Sequence, residues 1–132
     1  MARFYRIDEA NDRLAELRPL LEALRDDRDR VANLQRELTA FRATNGNAGH
    51  PDELRRRETA IAEIVRRMES TVRQIDEWSV ALRDISSGLI DFPALLNGRP
   101  IWLCWRLGEG DIAWWHDTST GFSGRKPLHE LG

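Results

Sequence analysis

The spacing of apolar residues changes once along this chain of 132 residues, and that change constrains the fold most. Up to Trp78, apolar side chains recur every three or four residues, which is typical of amphipathic helices. Beyond Trp78 they recur every second residue, in short runs separated by glycine and proline, which is typical of strands. The chain is therefore predicted to be a single α+β domain, helical first and β-stranded second.

The helical part is predicted to be a long antiparallel hairpin at residues 8–79. Its two apolar stripes have the heptad-like spacing of a coiled coil. Pro19 lies within the first stripe and predicts a kink or a second helix start. The polar run 43–50 separates the stripes, and Pro51 fits the first position of the second helix. A short polar connection between two such helices predicts that they run antiparallel.

The length of this hairpin predicts a partner. A first helix at about 8–42 would span roughly 50 Å. A compact domain of this size, in contrast, has a radius of gyration of about 14 Å. Two helices alone do not cover both stripes, so a second copy completing a four-helix bundle is expected, which makes the protein a homodimer. The alternative is that the β part folds back along the hairpin and covers it.

The second part is predicted to be an antiparallel β-meander of three to four strands at residues 80–117. Runs 89–96, 100–107 and 111–116 have strand character, and 80–83 fits either a first strand or the helix end. Asn97-Gly98 predicts a type I′ turn, which needs positive φ at the glycine. Residues 118–132 are predicted to form an irregular tail across the sheet.

Two-residue turns at Asn97-Gly98 and Glu109-Gly110 would set the register of the meander. The first turn pairs Asp91 with Cys104, and the second pairs Cys104 with Trp115 and Leu103 with His116. One face would then carry Asp91, Cys104, Arg106, Trp115 and Asp117, and the other Phe92, Leu103, Trp105, Trp114 and His116. This register separates His116 from Asp91, although a bulge would reverse part of it.

Candidate chemistry is concentrated in the β part. The candidate catalytic residues are Asp91, Arg106, Glu109 and His116, because carboxylates, an arginine and a histidine perform acid–base work or bind metals. Asp91 beside Arg106 equally indicates a structural ion pair. Zinc-motif spacing is absent from the sequence, so neither a metal nor another cofactor is expected. Cys104, between tryptophans, is interpreted as a small buried hydrophobe, and whether the chain is an enzyme stays open.

The tryptophans of the β part indicate either a core or a binding surface. Four of them lie at 102, 105, 114 and 115, so both faces of the sheet carry tryptophan and the helices cover only one. The candidate binding residues are Trp102, Trp115, Arg106 and Asp91. The leading hypothesis is a non-enzymatic dimeric binding or scaffolding protein with an unidentified protein or small-molecule partner. The alternative is a small metal-binding protein or enzyme.

Charge and composition limit the binding partners and the cellular location that are expected. The net charge of −2, with arginines interleaved among acids, gives no basis for binding nucleic acid or an anionic membrane. No segment has the ~18 consecutive apolar residues of a spanning helix, and the lone Cys104 excludes an intramolecular disulfide. A soluble cytoplasmic protein is expected. Lys126 is the only lysine among 20 basic residues, which suggests a GC-rich bacterial genome.

Several stretches together resemble a known bacterial family. They are Ile7–Asn11, the Leu-Arg-Pro-Leu-Leu run at 17–21, Gly88–Pro93, Leu103–Glu109, Trp115–Asp117 and Gly121–Arg125. In these stretches the chain resembles the family called domain of unknown function 2203. The resemblance covers nearly the whole chain and implies a bacterial protein. The family has no assigned activity, so the resemblance supplies no catalytic residue.

Overall fold

Two α-helices, five strands and two short 3₁₀ helices make up the structure, a computed structural model that describes residues 3–45 and 49–131. The α-helices and strands are α1 (Ile7–Asn45), α2 (Pro51–Glu77), β1 (Ala81–Asp84), β2 (Leu89–Leu96), β3 (Arg99–Trp105), β4 (Trp114–Asp117) and β5 (Lys126–Pro127), and the 3₁₀ helices are Phe122–Gly124 and Leu128–Leu131. The strands pair in chain order and antiparallel throughout. The predicted α+β fold, a helical hairpin followed by a β-meander, is confirmed.

The helices begin where the sequence places helix-start signals. Asp8 and Glu9 lie in the first turn of α1, and the Glu9 carboxylate accepts a hydrogen bond from the backbone N–H of Arg6 at 3.0 Å. Pro51 starts α2, and α1 continues through Pro19 as one helix. The predicted turn at 46–48 lies outside the described residues. Over 3–45 and 49–131, neither helix is both long and apolar enough to cross a bilayer.

Contacts between the helices show that the hairpin is antiparallel. Near its base, the Arg13 guanidinium lies 4.5 Å from the ring centre of Trp78. Near its tip, the Arg57 guanidinium lies 4.9 Å from the ring centre of Phe41. Early residues of α1 thus meet the end of α2, and late residues of α1 meet its beginning.

The hydrophobic core lies between the first half of α1 and one face of the sheet, called here the inner face. From α1 it takes Ala10, Leu14, Leu17, Leu21 and Leu24, and from the sheet Ile90, Phe92, Ala94, Ile101, Leu103, Trp105 and Trp115. Past Leu24, the only described side chain of α1 that is buried is Leu38. The sheet therefore covers the base of the hairpin, and its outer half extends beyond the core.

The β2–β3 hairpin has the predicted turn and register. Asn97 and Gly98 both have positive φ, 51° and 79°, as a type I′ turn requires. Asp91 pairs with Cys104 across the two strands, as expected.

The predicted register of β3 with β4 is wrong by one residue. Cys104 pairs with Trp114 rather than Trp115, and Trp102 pairs with His116. The cause is the connection at 106–113, which is a long loop instead of a two-residue turn at Glu109-Gly110. Because side chains alternate along a strand, this shift moves His116 to the outer face, where Asp91 and Cys104 also lie.

The tail forms regular structure that the sequence analysis missed. Lys126 pairs with Trp115, which makes β5 a fifth strand where three to four were expected, and the backbone N–H of Leu128 donates to the Ala113 carbonyl at 2.9 Å. The reason is that β4 would otherwise expose a row of unpaired backbone donors and acceptors. The tail thus borders the outer face first, at residues 118–122, and then completes the sheet edge as β5.

Candidate functional site

The outer face of the sheet carries a pocket of about 360 Å³. Its sheet residues are Arg83, Leu89, Asp91, Trp102, Cys104 and His116, and its tail residues are Thr118, Thr120, Gly121 and Phe122. The core occupies the inner face, so this pocket lies on the side of the sheet turned away from the core. A small concave site that combines aromatic and polar side chains is the usual form of a ligand site.

A buried aspartate–histidine pair lies in this pocket. Asp91 and His116 are each 2% exposed, and the Nε2 atom of His116 lies 3.0 Å from Oδ2 of Asp91. Arg83 donates from Nε to the same carboxylate oxygen at 2.9 Å. The other oxygen of Asp91, Oδ1, is buried and accepts no hydrogen bond from any described residue. The carboxylate therefore retains an unused binding position inside the protein.

The second nitrogen of His116 determines what its first nitrogen offers to Asp91. Nδ1 lies 2.8 Å from the backbone carbonyl of Asp117, and a carbonyl only accepts, so Nδ1 carries a hydrogen. In a neutral imidazole Nε2 then has a lone pair, which faces a carboxylate oxygen that also only accepts. Such a contact requires a shared proton or a cation between the two atoms.

Cys104 is the third functional side chain at the pocket floor. It is 1% exposed, and its sulfur, the Asp91 carboxylate and a ring nitrogen of His116 all lie within 4.8 Å of one another. Burial, and next the negative charge of Asp91, raise the pKa of the Cys104 thiol to about 12. Without a cation beside it, this thiol stays protonated at neutral pH.

The single thiol gives a direct chemical test of this environment. In the folded protein, with a chelator present, we expect alkylation of Cys104 by iodoacetamide at pH 8 to be about a thousand-fold slower than in the unfolded chain. The reason is that the thiolate is the nucleophile and burial suppresses it. Mass spectrometry of the single adduct against time measures both rates, and comparable rates would contradict the buried thiol.

The tail is held beside the pocket by a partly buried ion pair. Nη2 of Arg125 donates to Oε2 of Glu109 at 2.7 Å, and the Arg125 guanidinium lies 4.6 Å from the ring centres of both Trp114 and Phe122. Glu109 also accepts from the backbone N–H of Arg106 at 3.0 Å. One carboxylate thus connects the loop after β3 to the tail residues that border the pocket.

The four candidate catalytic residues do not form one group. The structure brings Asp91 and His116 together, whereas Glu109 pairs with Arg125. The expected ion pair between Asp91 and Arg106 is wrong, because the arginine at Asp91 is Arg83. Since β3 ends at Trp105, Arg106 points along the loop instead, 4.9 Å from the ring centre of Phe122.

The candidate binding residues also divide. Trp102 and Asp91 line the pocket, and the Arg83 guanidinium lies 4.8 Å from the ring centre of Trp102. Trp115 is 6% exposed and belongs to the core on the inner face. Sequence reasoning missed Arg83 and the tail residues of the pocket. Arg83 could have been found from a β1 strand that places it on the outer face. No sequence pattern indicated that the tail residues line the pocket.

A second concave surface lies between the helices. This apolar groove has a volume of about 730 Å³ and is lined by Arg28, Val31, Ala32, Gln35, Val65, Met68, Glu69, Val72, Arg73 and Ile85. Among the described residues of α2, Ile75 is the only one that is buried. The apolar stripe of α2 is therefore only partly covered by α1 and the sheet.

Comparison with known families now identifies the relationship. A family described as "Uncharacterized conserved protein (DUF2203)" matches residues 3–128. The chain is a member of the DUF2203 family. No functionally curated protein and no solved structure matches this DUF2203 protein. Its chemistry is therefore inferred from its own residues.

Proposed function

We propose that this DUF2203 protein is a homodimeric, non-enzymatic binding protein whose helices form the dimer and whose sheet pocket holds a ligand. The observation that carries the proposal is the apolar groove between α1 and α2. Burying apolar surface stabilises an assembly by roughly 25 cal/mol per Å², and extended apolar surface on a soluble protein usually marks an interface. A second hairpin in this groove would complete a four-helix bundle with coiled-coil packing.

The charges beside the groove favour a second copy as its occupant. Arg28 and Arg73 lie there together with Glu69, so the surface carries both signs of charge. In a two-fold symmetric dimer the same surface of each copy meets the other, and such a surface must complement itself. A groove with charges of one sign would favour an oppositely charged partner instead.

The ligand half of the proposal rests on the pocket. It opens on the outer face of the sheet, so a dimer formed through the helices leaves it accessible. Trp102 and Arg83 offer an aromatic face and a cation, and Asp91 and His116 offer buried polar atoms. A small polar ligand fits this set of groups.

The same pair of residues keeps a small enzyme as the second candidate. Nε2 of His116 lies 3.0 Å from Oδ2 of Asp91 in an open pocket, and this is the spacing of an oriented acid–base pair. Binding is preferred because Arg106 and Glu109, the other two candidates, are engaged elsewhere.

Composition supports a cellular location for the protein. We assign it to the cytoplasm of a bacterium, since arginine supplies all but one of its 20 basic residues and its one cysteine is a buried free thiol.

The dimer can be tested at Val72. This side chain lines the groove and is 36% exposed, so the monomer should tolerate a change there. We expect light scattering to give twice the chain mass of 15.3 kDa for the wild type and about the chain mass for Val72→Glu. The reason is that a carboxylate buried without a partner in an apolar interface is strongly unfavourable.

Ser70→Glu is the matched control for this measurement. It adds the same charge to the same helix, but two residues away, which on a helix is nearly the opposite side. It should remain dimeric. A wild type that is monomeric at all accessible concentrations, or a Ser70→Glu variant that dissociates equally, would contradict an interface in this groove.

A further inference from the structure

The geometry points to a site for a divalent transition-metal ion at the pocket floor, held by Asp91, Cys104 and His116. This inference deepens the ligand-binding half of the proposed function by naming the ligand class, and it does not depend on dimerisation. It also revises the expectation from sequence that no metal is bound. That expectation rested on the absence of zinc-motif spacing, together with a register that placed His116 on the wrong face of the sheet.

Three buried ligand atoms converge at the pocket floor. A sulfur, a carboxylate oxygen and a ring nitrogen lie within 4.8 Å of one another, and each of their residues is at most 2% exposed. Bonds of about 2.0–2.3 Å to a tetrahedral ion would place such atoms roughly 3.5 Å apart. Side-chain adjustments of about 1 Å therefore close the site.

The hydrogen bonding of His116 and Asp91 also favours a cation between these two ligands. The contact of His116 Nδ1 with the Asp117 carbonyl is the outer contact that orients metal-binding histidines, and it turns the Nε2 lone pair toward Asp91. The carboxylate of Asp91 keeps Oδ1 buried without a hydrogen-bond partner among the described residues. A cation bound by Nε2 and by Oδ1 would satisfy both the lone pair and this oxygen.

The chemistry of the three donor atoms favours a transition metal. Imidazole nitrogen and thiolate sulfur select zinc and similar ions over magnesium or calcium, which prefer oxygen ligands only. On binding, the Cys104 S–H bond breaks, a sulfur–metal bond forms and the proton leaves to the buffer. Any proton shared between His116 and Asp91 leaves in the same way. The thiolate and carboxylate then supply two negative charges, which face the two positive charges of the ion and the guanidinium of Arg83 that bonds to Oδ2 of Asp91.

Three protein ligands leave a fourth position at a tetrahedral ion. Because these ligands line an open pocket that Thr118 and Phe122 also border, a small molecule in the pocket would have access to that position. Structural zinc sites use four protein ligands, whereas sites with three accept water or a small ligand at the fourth position. The site therefore fits an ion that binds or presents a further small molecule.

Co²⁺ is the probe that tests the site, because a sulfur–cobalt bond gives a charge-transfer absorption band. We expect the full-length protein, stripped with a chelator and dialysed, to bind one Co²⁺ per chain with this band. Zn²⁺ should displace the cobalt and abolish the band. His116→Ala should weaken Co²⁺ binding by about 100-fold or more, since changes in outer contacts alone cost ten- to 100-fold.

Cys104→Ser decides the result if His116→Ala fails to fold. It is nearly isosteric, and its expected effect is loss of the band while weaker cobalt binding persists. His129→Ala, which removes an exposed histidine of the tail, is the control and should bind as the wild type does. Absence of saturable binding by the folded wild type, or a band that survives in Cys104→Ser, would overturn the site.

The two proposals fail separately in these experiments. A protein that dimerises without binding Co²⁺ overturns the metal site and leaves the interface standing. A monomer that binds one Co²⁺ through Cys104 overturns the interface and leaves the metal site standing.

Discussion

Replacement of Trp105 by alanine is expected to lower the free energy of unfolding by about 3–5 kcal/mol. The Trp105 ring is 1% exposed in the core, and its Nε1 donates a hydrogen bond to the Gly110 carbonyl at 2.7 Å. The change removes a large apolar side chain and leaves that carbonyl with only the longer hydrogen bond from Nη2 of Arg18, at 3.3 Å. Chemical denaturation followed by circular dichroism, at one fixed protein concentration, measures the loss.

Trp105→Phe separates the two contributions. It keeps most of the buried apolar surface but not the hydrogen bond, so a smaller loss of about 1–2 kcal/mol is expected. Because domains of this kind are stable by only about 5–15 kcal/mol, the alanine variant should be close to unfolding. A loss below ~1 kcal/mol for Trp105→Ala would contradict the position of this ring in the core.

Gly88→Ala is expected to destabilise the protein by about 2–4 kcal/mol. Gly88 has φ +65°, where a residue with a side chain costs about 1–2 kcal/mol. A Cβ atom at this position would also lie 2.5 Å from Cγ of Leu107, which must shift within a packed region. Thermal and chemical denaturation measure the combined effect.

Gly98→Ala isolates the backbone contribution. Gly98 also has positive φ, +79°, but a Cβ atom there would meet nothing within 4 Å. We expect about 1 kcal/mol for this variant, from backbone strain alone. Equal losses at the two glycines would show that Leu107 moves freely, and would contradict close packing between the β1–β2 turn and the loop after β3.

Local signals predicted most of the fold because they act within a few residues. Spacings of three and four residues predicted the helices, and Asp8 and Pro51 marked their beginnings correctly. Asn97-Gly98 fixed the β2–β3 register, since a two-residue turn leaves only one pairing of its flanking strands. The pairing of Asp91 with Cys104 followed from that turn alone.

The site could not be assembled in the same way. Glu109-Gly110 has the residues of a tight turn but lies within a long loop. There the Gly110 carbonyl accepts a hydrogen bond from the Trp105 indole, and the Glu109 carboxylate accepts one from the backbone N–H of Arg106. Trp114 and Trp115 are the same residue type, so alternation gave no signal for which of them faces the core. The register, and with it the face of His116, depended on these contacts.

By itself, the sequence determined the two helices, the meander and the turn that places Asp91 opposite Cys104, because each depends on local spacing and backbone preference. Only the tertiary structure decided that His116 joins them and that the tail, through Arg125, borders the pocket. The physical reason is that a one-residue change of strand register reverses every side chain. The loop that sets this register is held in part by residues far away in the chain, since the Asn11 side chain accepts a hydrogen bond from the backbone N–H of Ile112 and Arg18 donates to the Gly110 carbonyl.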